Sequence, residues 1–548
     1  MVFGGCREGW PPGADAGPNQ TCDPAFMLIL LRKMFCILLA LALPVHAATL
    51  RWASQNDHAS ADPHGQNQLI NNSLNGQVYE YLVLRGKQLE ILPSLAVGWR
   101  QASPTVWIFD LRRGVKWHDG SDFTADDVVF SVQRAQGDTS TFRVYGRAAG
   151  AARKIDDHTV EFTTPAPNPV MLETLQNIFI VSKAWCEKHS ALRAQDFAAK
   201  EETYASRHAM GTGPYMLVSR DPDVKSVFRK NPAWWGIKEG LFEGNVDEIV
   251  YTPIPSDGTR MAALVSGELD FVIDPPIQDI DRLKQDQRIR VYEGAENLVF
   301  FLGMDQARNE LLYSDVKGRN PLKDRRVRQA IYQAIDTDAI NRVVMRGQAA
   351  SIAVILPNPE AAGVPKDLVR RYPYDVAAAK KLLGEAGYPA GFGITLDCQN
   401  VREKLCVALA SMLARAGVSA KVNALQNTQF FAKGAKQDTS LYLLGWGGAA
   451  TDAMFTLQPV LHSRDKGDGD YNWGNYKDPA FDALIDQAKV EMDAAKRQSL
   501  INAAMKMHHD NVYHVPLHRR MAPWASRANV EVVHRANLWM EARWVKLR

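Results

Sequence analysis

The chain has 548 residues, 46% of them hydrophobic and 23% charged, and a formal net charge of +3. That length exceeds what one hydrophobic core organises and predicts two or three domains. The small net charge, with no Lys/Arg block interleaved with aromatics, excludes a nucleic-acid binder that works through a basic surface.

Residues 27–47 read MLILLRKMFCILLALALPVHA. Arg32 and Lys33 precede a short apolar run, Phe35 to Leu43, which Pro44 ends. The run is well under the ~20 residues that span a bilayer. Val45-His46-Ala47 offers small residues at −3 and −1, so residues 1–47 are an N-terminal extension plus a cleaved export signal. Ala48 follows the cut where a lipoprotein needs Cys, which predicts a soluble periplasmic product. The Gly- and Pro-rich residues 1–26 precede a complete signal, so translation is expected to start at Met27 or Met34. Processing removes Cys6, Cys22 and Cys36. The remaining Cys186, Cys398 and Cys406 allow at most one bridge, with Cys398–Cys406 the nearest pair and three buried thiols the alternative.

TLRWAS alternates Leu50 and Trp52 and predicts a strand, followed by the loop QNDHASADPHG, in which His58 and His64 are expected to be solvated. KQLEI, TVWIFDLR and HTVEFTT are short alternating runs between Pro, Gly and Asp-Asp turns, the grammar of an antiparallel sheet. PYMLVS and KSVFR, joined by Asp221-Pro222-Asp223, predict a hairpin. VDEIVYTPI, a helix from Asp257 to Ser266 stopped by Gly267, and LDFVI form a βαβ unit with parallel strands. DRRVRQAIYQAI sets Val327, Ile331 and Ile335 on one helical face, and a second helix is expected from Asp336 to Gly347. YDVAAAKKLLGEAG carries Asp375 as N-cap and Gly387 as stop. Then strand GITLDCQ, helix Arg402–Ala416, strand SAKVNAL, helix Thr428–Lys436 and strand SLYLLGW alternate. DPAFDALIDQAKVEM is a helix with Asp478 at its N-cap and Pro479 in the first position, and NVYHVPLHRR is extended.

Catalytic signatures are missing: there is no GxSxG, HExxH, P-loop or GxGxxG after a strand. No catalytic residue and no enzyme activity is therefore expected. His514 and His518 are four apart on an extended segment, which does not converge two imidazoles. With no CxxC and no clustered histidines, neither a metal site nor a cofactor is expected. In GVKWHDGSDFTADD, His118 and Asp119 sit side by side, but Asp119-Gly120 is a turn and Thr124-Ala-Asp-Asp a capping arrangement. The reading is structural.

These blocks together resemble the peptide/nickel-type (family 5) periplasmic solute-binding proteins of ABC importers. The carriers are LPSLAVGW with WIFDLRRGVKWHDGSDFTADDVVFSVQR, GTGPYML at 211–217, SGELDF at 266–271, NPLKDRRVRQAIYQAID at 320–336, YDVAAAKKLLGEAGYPAGF at 374–392 and YNWGNYKDPAFDALI at 471–485. The resemblance implies an α/β clamshell: two α/β lobes with a hinge, plus an inserted mainly antiparallel domain. Lobe I would comprise 48–80, 206–295 and 516–548, the insert 81–205, and lobe II 296–515. The hinge crossings would lie near Tyr292–Met304 and His514–Arg520. It also implies a monomer that binds a small peptide or peptide-like solute and hands it to ABC permease subunits.

In peptide binders of that family the strand ending in Trp continues Trp-x-x-Asp, and the Asp pairs with the peptide's ammonium. Here Trp446-Gly447-Gly448-Ala449 places Ala449 at that position, and the next carboxylate is Asp452. Either Asp452 takes over, or the solute presents no ammonium there. Glutathione-binding members also lack the Asp, so a modified peptide is one option; a non-peptide ligand on the same scaffold (glutathione, an opine, haem or a nickel chelate) is the alternative, and a secreted hydrolase is the reading from a different class. Ligand-binding candidates are Trp446, Gly447, Ala449 and Asp452; Arg402, at a strand-to-helix junction, for a ligand carboxylate; and Tyr79, Asn472, Trp473 and Asp62 by position in the resembling blocks.

Overall fold

One mixed sheet runs through both halves of the molecule. The computed structural model describes residues 47–448, 451–465 and 467–548. The expected export signal and start sites lie outside the described residues, as does Ala449. The sheet comprises β1 (Thr49–Ser54), β2 (Tyr215–Asp221), β3 (Lys225–Lys230), β4 (Glu248–Pro253), β5 (Phe271–Val272), β6 (Ile289–Met304), β7 (Ala349–Ser351), β8 (Phe392–Gln399), β9 (Val418–Leu425), β10 (Leu441–Gly447) and β11 (His514–Arg527). Its order is β9-β8-β10-β6-β11-β5-β1-β4-β3-β2, with β7 on β11.

Sequence grammar explains each half. β2 and β3 form the expected antiparallel hairpin, paired from Tyr215↔Lys230 to Asp221↔Lys225. β4 and β5 both run parallel to β1, which lies between them, so the βαβ unit skips one strand. Its helix, Asp257–Ser266, starts where Ser256 accepts the Thr259 N–H and ends at Gly267, whose φ of 88° suits a residue without Cβ. In the other half β8 is parallel to both β9 and β10, the pattern the alternating segments predict. The helix between β8 and β9, Glu403–Ala416, buries Leu405, Leu409 and Leu413 against that half's core.

β6 and β11 are long enough to serve both halves. They pair from Ile289↔Arg527 to Ala295↔Met521 and again from Val299↔Arg519 to Gly303↔His514, with a break in register between. On one side of the break β11 continues to β5; on the other β6 continues to β10. The break frees Glu296, Asn297 and Leu298 from pairing with β11, as a bulge does where a strand must bend.

A separate four-stranded antiparallel sheet holds Ala96–Ser103, Val106–Leu111, Thr159–Thr163 and Ala151–Asp156 in that order. It has its own core of Phe109, Trp117, Phe123, Val128 and Phe162. In GVKWHDGSDFTADD, Asp127 accepts the Thr124 N–H at 3.0 Å and the Lys183 N–H at 2.9 Å, fixing the start of helix Ala125–Gln136. The half-buried His118 ring contacts the Gly213 carbonyl at 3.1 Å, and its backbone N–H donates to the Gly211 carbonyl. Asp119 accepts from Ser121 in the turn. These residues join the small sheet to the loop at 211–213.

Some expectations shift. The helix expected from Asp336 is one turn, Thr337–Ala339, followed by a wider turn, Ile340–Val344. Ile335 lies past the end of helix Arg325–Gln333 but stays buried. His58 and His64 are fully buried rather than solvated. His58 bridges Ser226 and Asn75, and His64 contacts the Phe179 carbonyl. The reason is Asp62 between them, which draws the polar loop inward to Arg134. Cys186, Cys398 and Cys406 are buried thiols without a bridge.

Candidate ligand-binding cleft

The end of β10 meets the break in β6. Gly448 donates to the Asn297 carbonyl at 3.1 Å, and the Asn297 N–H donates to the Ala536 carbonyl at 2.8 Å. Arg519, on β11, donates to the Glu296 carbonyl and to Asn297 Oδ1. Gly447 is required here, because a Cβ would fall 2.0 Å from the Asn297 carbonyl oxygen. A cleft of about 370 Å³ opens at this junction, lined among others by Asn72, Asn177, Glu296, Asn297, Asn537 and Trp539. It draws walls from both halves of the large sheet and from Asn177, beyond the small one.

Its polar groups are mostly uncharged amides. Asn72 Oδ1, Asn297 Nδ2 and Asn537 Nδ2 are buried without a hydrogen-bond partner. Their residues are 5%, 2% and 7% exposed. Buried polar atoms are nearly always paired, and leaving one unpaired costs about 1–3 kcal/mol. One acceptor and two donors around a single cleft are what the N–H and C=O groups of an amide-bearing solute would satisfy. Next to it, Arg85, Gln176, Asn177, Asn537 and Trp539 line a smaller recess. Burial, together with the nearby Arg535, pulls the Arg85 guanidinium down to about 10. Arg85 pairs with the Glu173 carboxylate and donates to the Thr451 hydroxyl at 3.0 Å, so the segment after β10 touches the opposite wall.

The family described as bacterial extracellular solute-binding proteins, family 5 (middle), matches residues 90–468. The chain belongs to that family. It is 27% identical over 474 residues to heme-binding protein A of Haemophilus influenzae, covering 81% of this chain and 82% of that one. It is 28% identical over 455 residues to the dipeptide-binding protein of Escherichia coli K12, covering 77% and 79%. The structure of the periplasmic binding protein DppA from Helicobacter pylori, in complex with the peptide STSA, superposes with a TM-score of 0.69 at 25% identity, covering 91% and 98%. The two-lobed α/β fold is thus that of the family.

This solute-binding protein brings few of the sequence-derived candidates into the cleft. Gly447 lines it. Trp446 is half-buried beside it, its indole donating to the Phe455 carbonyl at 3.2 Å and its ring 4.8 Å from Tyr471. Arg402 lies 4.8 Å over the Phe300 ring on β6, and its Nε has no partner. Burial, then the nearby Arg520, lowers its pKa from the usual arginine value. Asp452 is held by Arg497 through two bonds of 2.7 Å and accepts the Met454 N–H at 2.8 Å. Asp62 is buried against Arg134. Tyr79 is buried and donates to the Ala61 carbonyl. Asn472 donates to the His462 and Tyr476 carbonyls inside its own loop. Trp473 fills a core with Phe430, Phe431 and Tyr442.

The residues that sequence reasoning missed are the asparagines. One signal was available: LINNSLN is a short helix, Leu69–Asn75, with residues 70–75 all buried. Asparagine is a poor helix former, because its side chain competes for nearby backbone groups. Asn71 and Asn72 on a buried helix therefore ask for a polar partner.

Proposed function

We propose that this protein captures a peptide-like solute in the cleft between its lobes and delivers it to ABC permease subunits. The observation that carries the reading is the set of three partnerless buried amide atoms around one cavity of about 370 Å³. They are the hydrogen-bonding groups that the amides of a peptide-like solute would satisfy. The family membership and the peptide-bound relative support it. The protein works as a periplasmic monomer without catalysis, a binder that closes about β6 and β11. No helix among the described residues is long and apolar enough to cross a membrane.

The solute is peptide-like but carries no free ammonium at the end of β10. Asp452, the nearest carboxylate in sequence to Ala449, is already paired with Arg497. Glutathione, whose amine lies on a γ-linked side arm, and other amide-bearing solutes fit this better than an ordinary dipeptide. Thermal shift of ligand-stripped protein decides. A solute at ~100 Kd should add about 2.7 kcal/mol of stability. N-acetylated peptides should bind within threefold of their free-amine forms. A more than tenfold loss on acetylation would show that an ammonium is recognised. If only haem, opines or nickel chelates shift the melt, the peptide-like reading fails. Mass spectrometry of the solute that co-purifies gives an independent answer.

A further inference from the structure

His462 follows the turn Leu457–Leu461, and its residue is 7% exposed. Its Nδ1 lies 2.6 Å from the Ser463 carbonyl oxygen. That contact requires the proton on Nδ1, because a carbonyl oxygen only accepts. In the neutral ring, Nε2 then presents a bare lone pair. Nε2 has no hydrogen-bond partner, yet it stands 3.3 Å from Asp486 Oδ1. The separation is short enough for a charge contact, but the direction is wrong for a hydrogen bond. Two electron-rich atoms at that separation repel each other unless a cation neutralises them.

Asp468 completes the group. One ligand atom each from His462, Asp468 and Asp486 lies within 4.8 Å of the others. A tetrahedral zinc-type ion with bonds of ~2.0–2.1 Å needs donors about 3.4 Å apart, so the side chains must close by roughly 1.4 Å. Asp486, with a side chain 58% exposed, is free to make that movement. Asp468 is tied on its own backbone: Asp465 and Asp468 exchange backbone hydrogen bonds, and Gly469 follows with a φ of 66°. The Nδ1–H to carbonyl bond on His462 is the outer contact that orients a metal-binding imidazole. Lys489 occupies the neighbourhood, with Nζ 3.1 Å from both Asp468 oxygens. It is the resident counter-charge that a metal would displace.

We propose that His462, Asp468 and Asp486 form a binding site for a divalent transition-metal cation of the zinc type, separate from the solute cleft. One nitrogen and two carboxylate donors match such an ion and leave a position for water. The site lies at one end of the loop that leads to Tyr471, whose ring backs Trp446. Metal binding would therefore stiffen that wall. Nothing in the sequence spacing signals it, because His462 and Asp486 belong to a loop and to the next helix, Pro479–Val490.

The test is calorimetric titration of Zn²⁺ into the EDTA-treated, dialysed mature chain, alongside its melting temperature. Wild type should bind one equivalent and melt higher. His462→Gln and Asp486→Asn should each weaken binding at least tenfold, while Lys489→Met should tighten it several-fold by removing the competing cation. If His462→Gln fails to fold, the exposed Asp486→Asn carries the comparison. Equal uptake by wild type and Asp486→Asn, or no gain with Lys489→Met, would overturn the proposal. So would a contribution of His462 that appears in EDTA as the pH falls and is untouched by Zn²⁺, since that identifies an imidazolium–carboxylate pair.

Discussion

Replacing Asp62 by asparagine separates a ligand-binding role from a structural one. Both carboxylate oxygens are committed: Oδ1 accepts from Arg134 Nη1 at 2.8 Å and the His64 N–H at 3.0 Å, Oδ2 from Arg134 Nη2 at 2.7 Å and the Gln195 N–H at 2.8 Å. Both side chains are 1% exposed. Burial opposes ionisation of Asp62, but the charge and hydrogen bonds of Arg134 outweigh it, and the carboxyl is held below its usual value. Asp62→Asn keeps the shape and strands a guanidinium in a dry site, which costs about 3–5 kcal/mol. Unfolding entropy of about 2.1 cal/mol/K per residue converts that to a fall of roughly 3–5 °C in Tm for about 500 residues. Asp62→Leu with Arg134→Met should recover at least half of the loss, since an apolar pair replaces the ions. The wild-type contribution should be complete above pH ~4 and vanish as acid protonates the depressed carboxyl. Scanning calorimetry reads the stability and titration calorimetry the solute affinity. Unchanged Tm with lost solute binding would refute the structural assignment and return Asp62 to the cleft.

Glu80 behaves oppositely: burial raises its carboxyl to about 7, against the indole donors Trp235 and Trp234. The folded state therefore retains a proton that the unfolded chain releases, and stability falls by about 3 kcal/mol as pH rises from ~4.5 to ~7. Melting curves of Glu80→Gln across that window should lose the slope, and a slope equal to wild type would contradict it. Gly447→Ala, driven against the Asn297 carbonyl, should cost about 1–3 kcal/mol as other overpacked sites do and weaken solute binding at least tenfold. Native-like melting and affinity would show that the backbone yields there. Removing the His118 contact to Gly213 by His118→Ala should destabilise by about 1–3 kcal/mol with solute affinity unchanged in the folded protein. Alkylation of the denatured, unreduced mature chain should add three labels, at Cys186, Cys398 and Cys406, and a single label would reveal a bridge.

Local grammar carried most of the fold. Gly267 and Gly417 stop helices with φ of 88° and 105°, and Asp375 and Asp478 cap them through their side chains, all within a few residues of chain. What local grammar could not supply was partnership across distance. Asp62 meets Arg134, and Asp452 meets Arg497. Position along a loop suggested free carboxylates, whereas the ion pairs close them. Aromatics misled for a similar reason: Trp473 next to Asn472 looked available, but Phe430, Phe431 and Tyr442 converge on it from other elements. The cleft itself was hidden because asparagines carry no periodicity, and Asn72, Asn297 and Asn537 come together only when the hinge strands are in register.

The C-terminal segment returns beside the start of β1. Ala48 donates to Asp247 at 3.1 Å, the Asp247 N–H donates back to Ala48 at 2.8 Å, and Gly244 and Asn245 donate to Arg543 and Val545 at 2.7 and 3.1 Å. Ala48 and the C-terminal segment thus share one seam on the β1–β4 side of the sheet. A surface linkage or fluorescent fusion attached at either end would load only that lobe and leave the other free to swing. For a sensor built on this scaffold, one reporter belongs at that seam, where it stays still. The second belongs on the far helix Pro479–Val490, where any closing motion would be read as a change in distance.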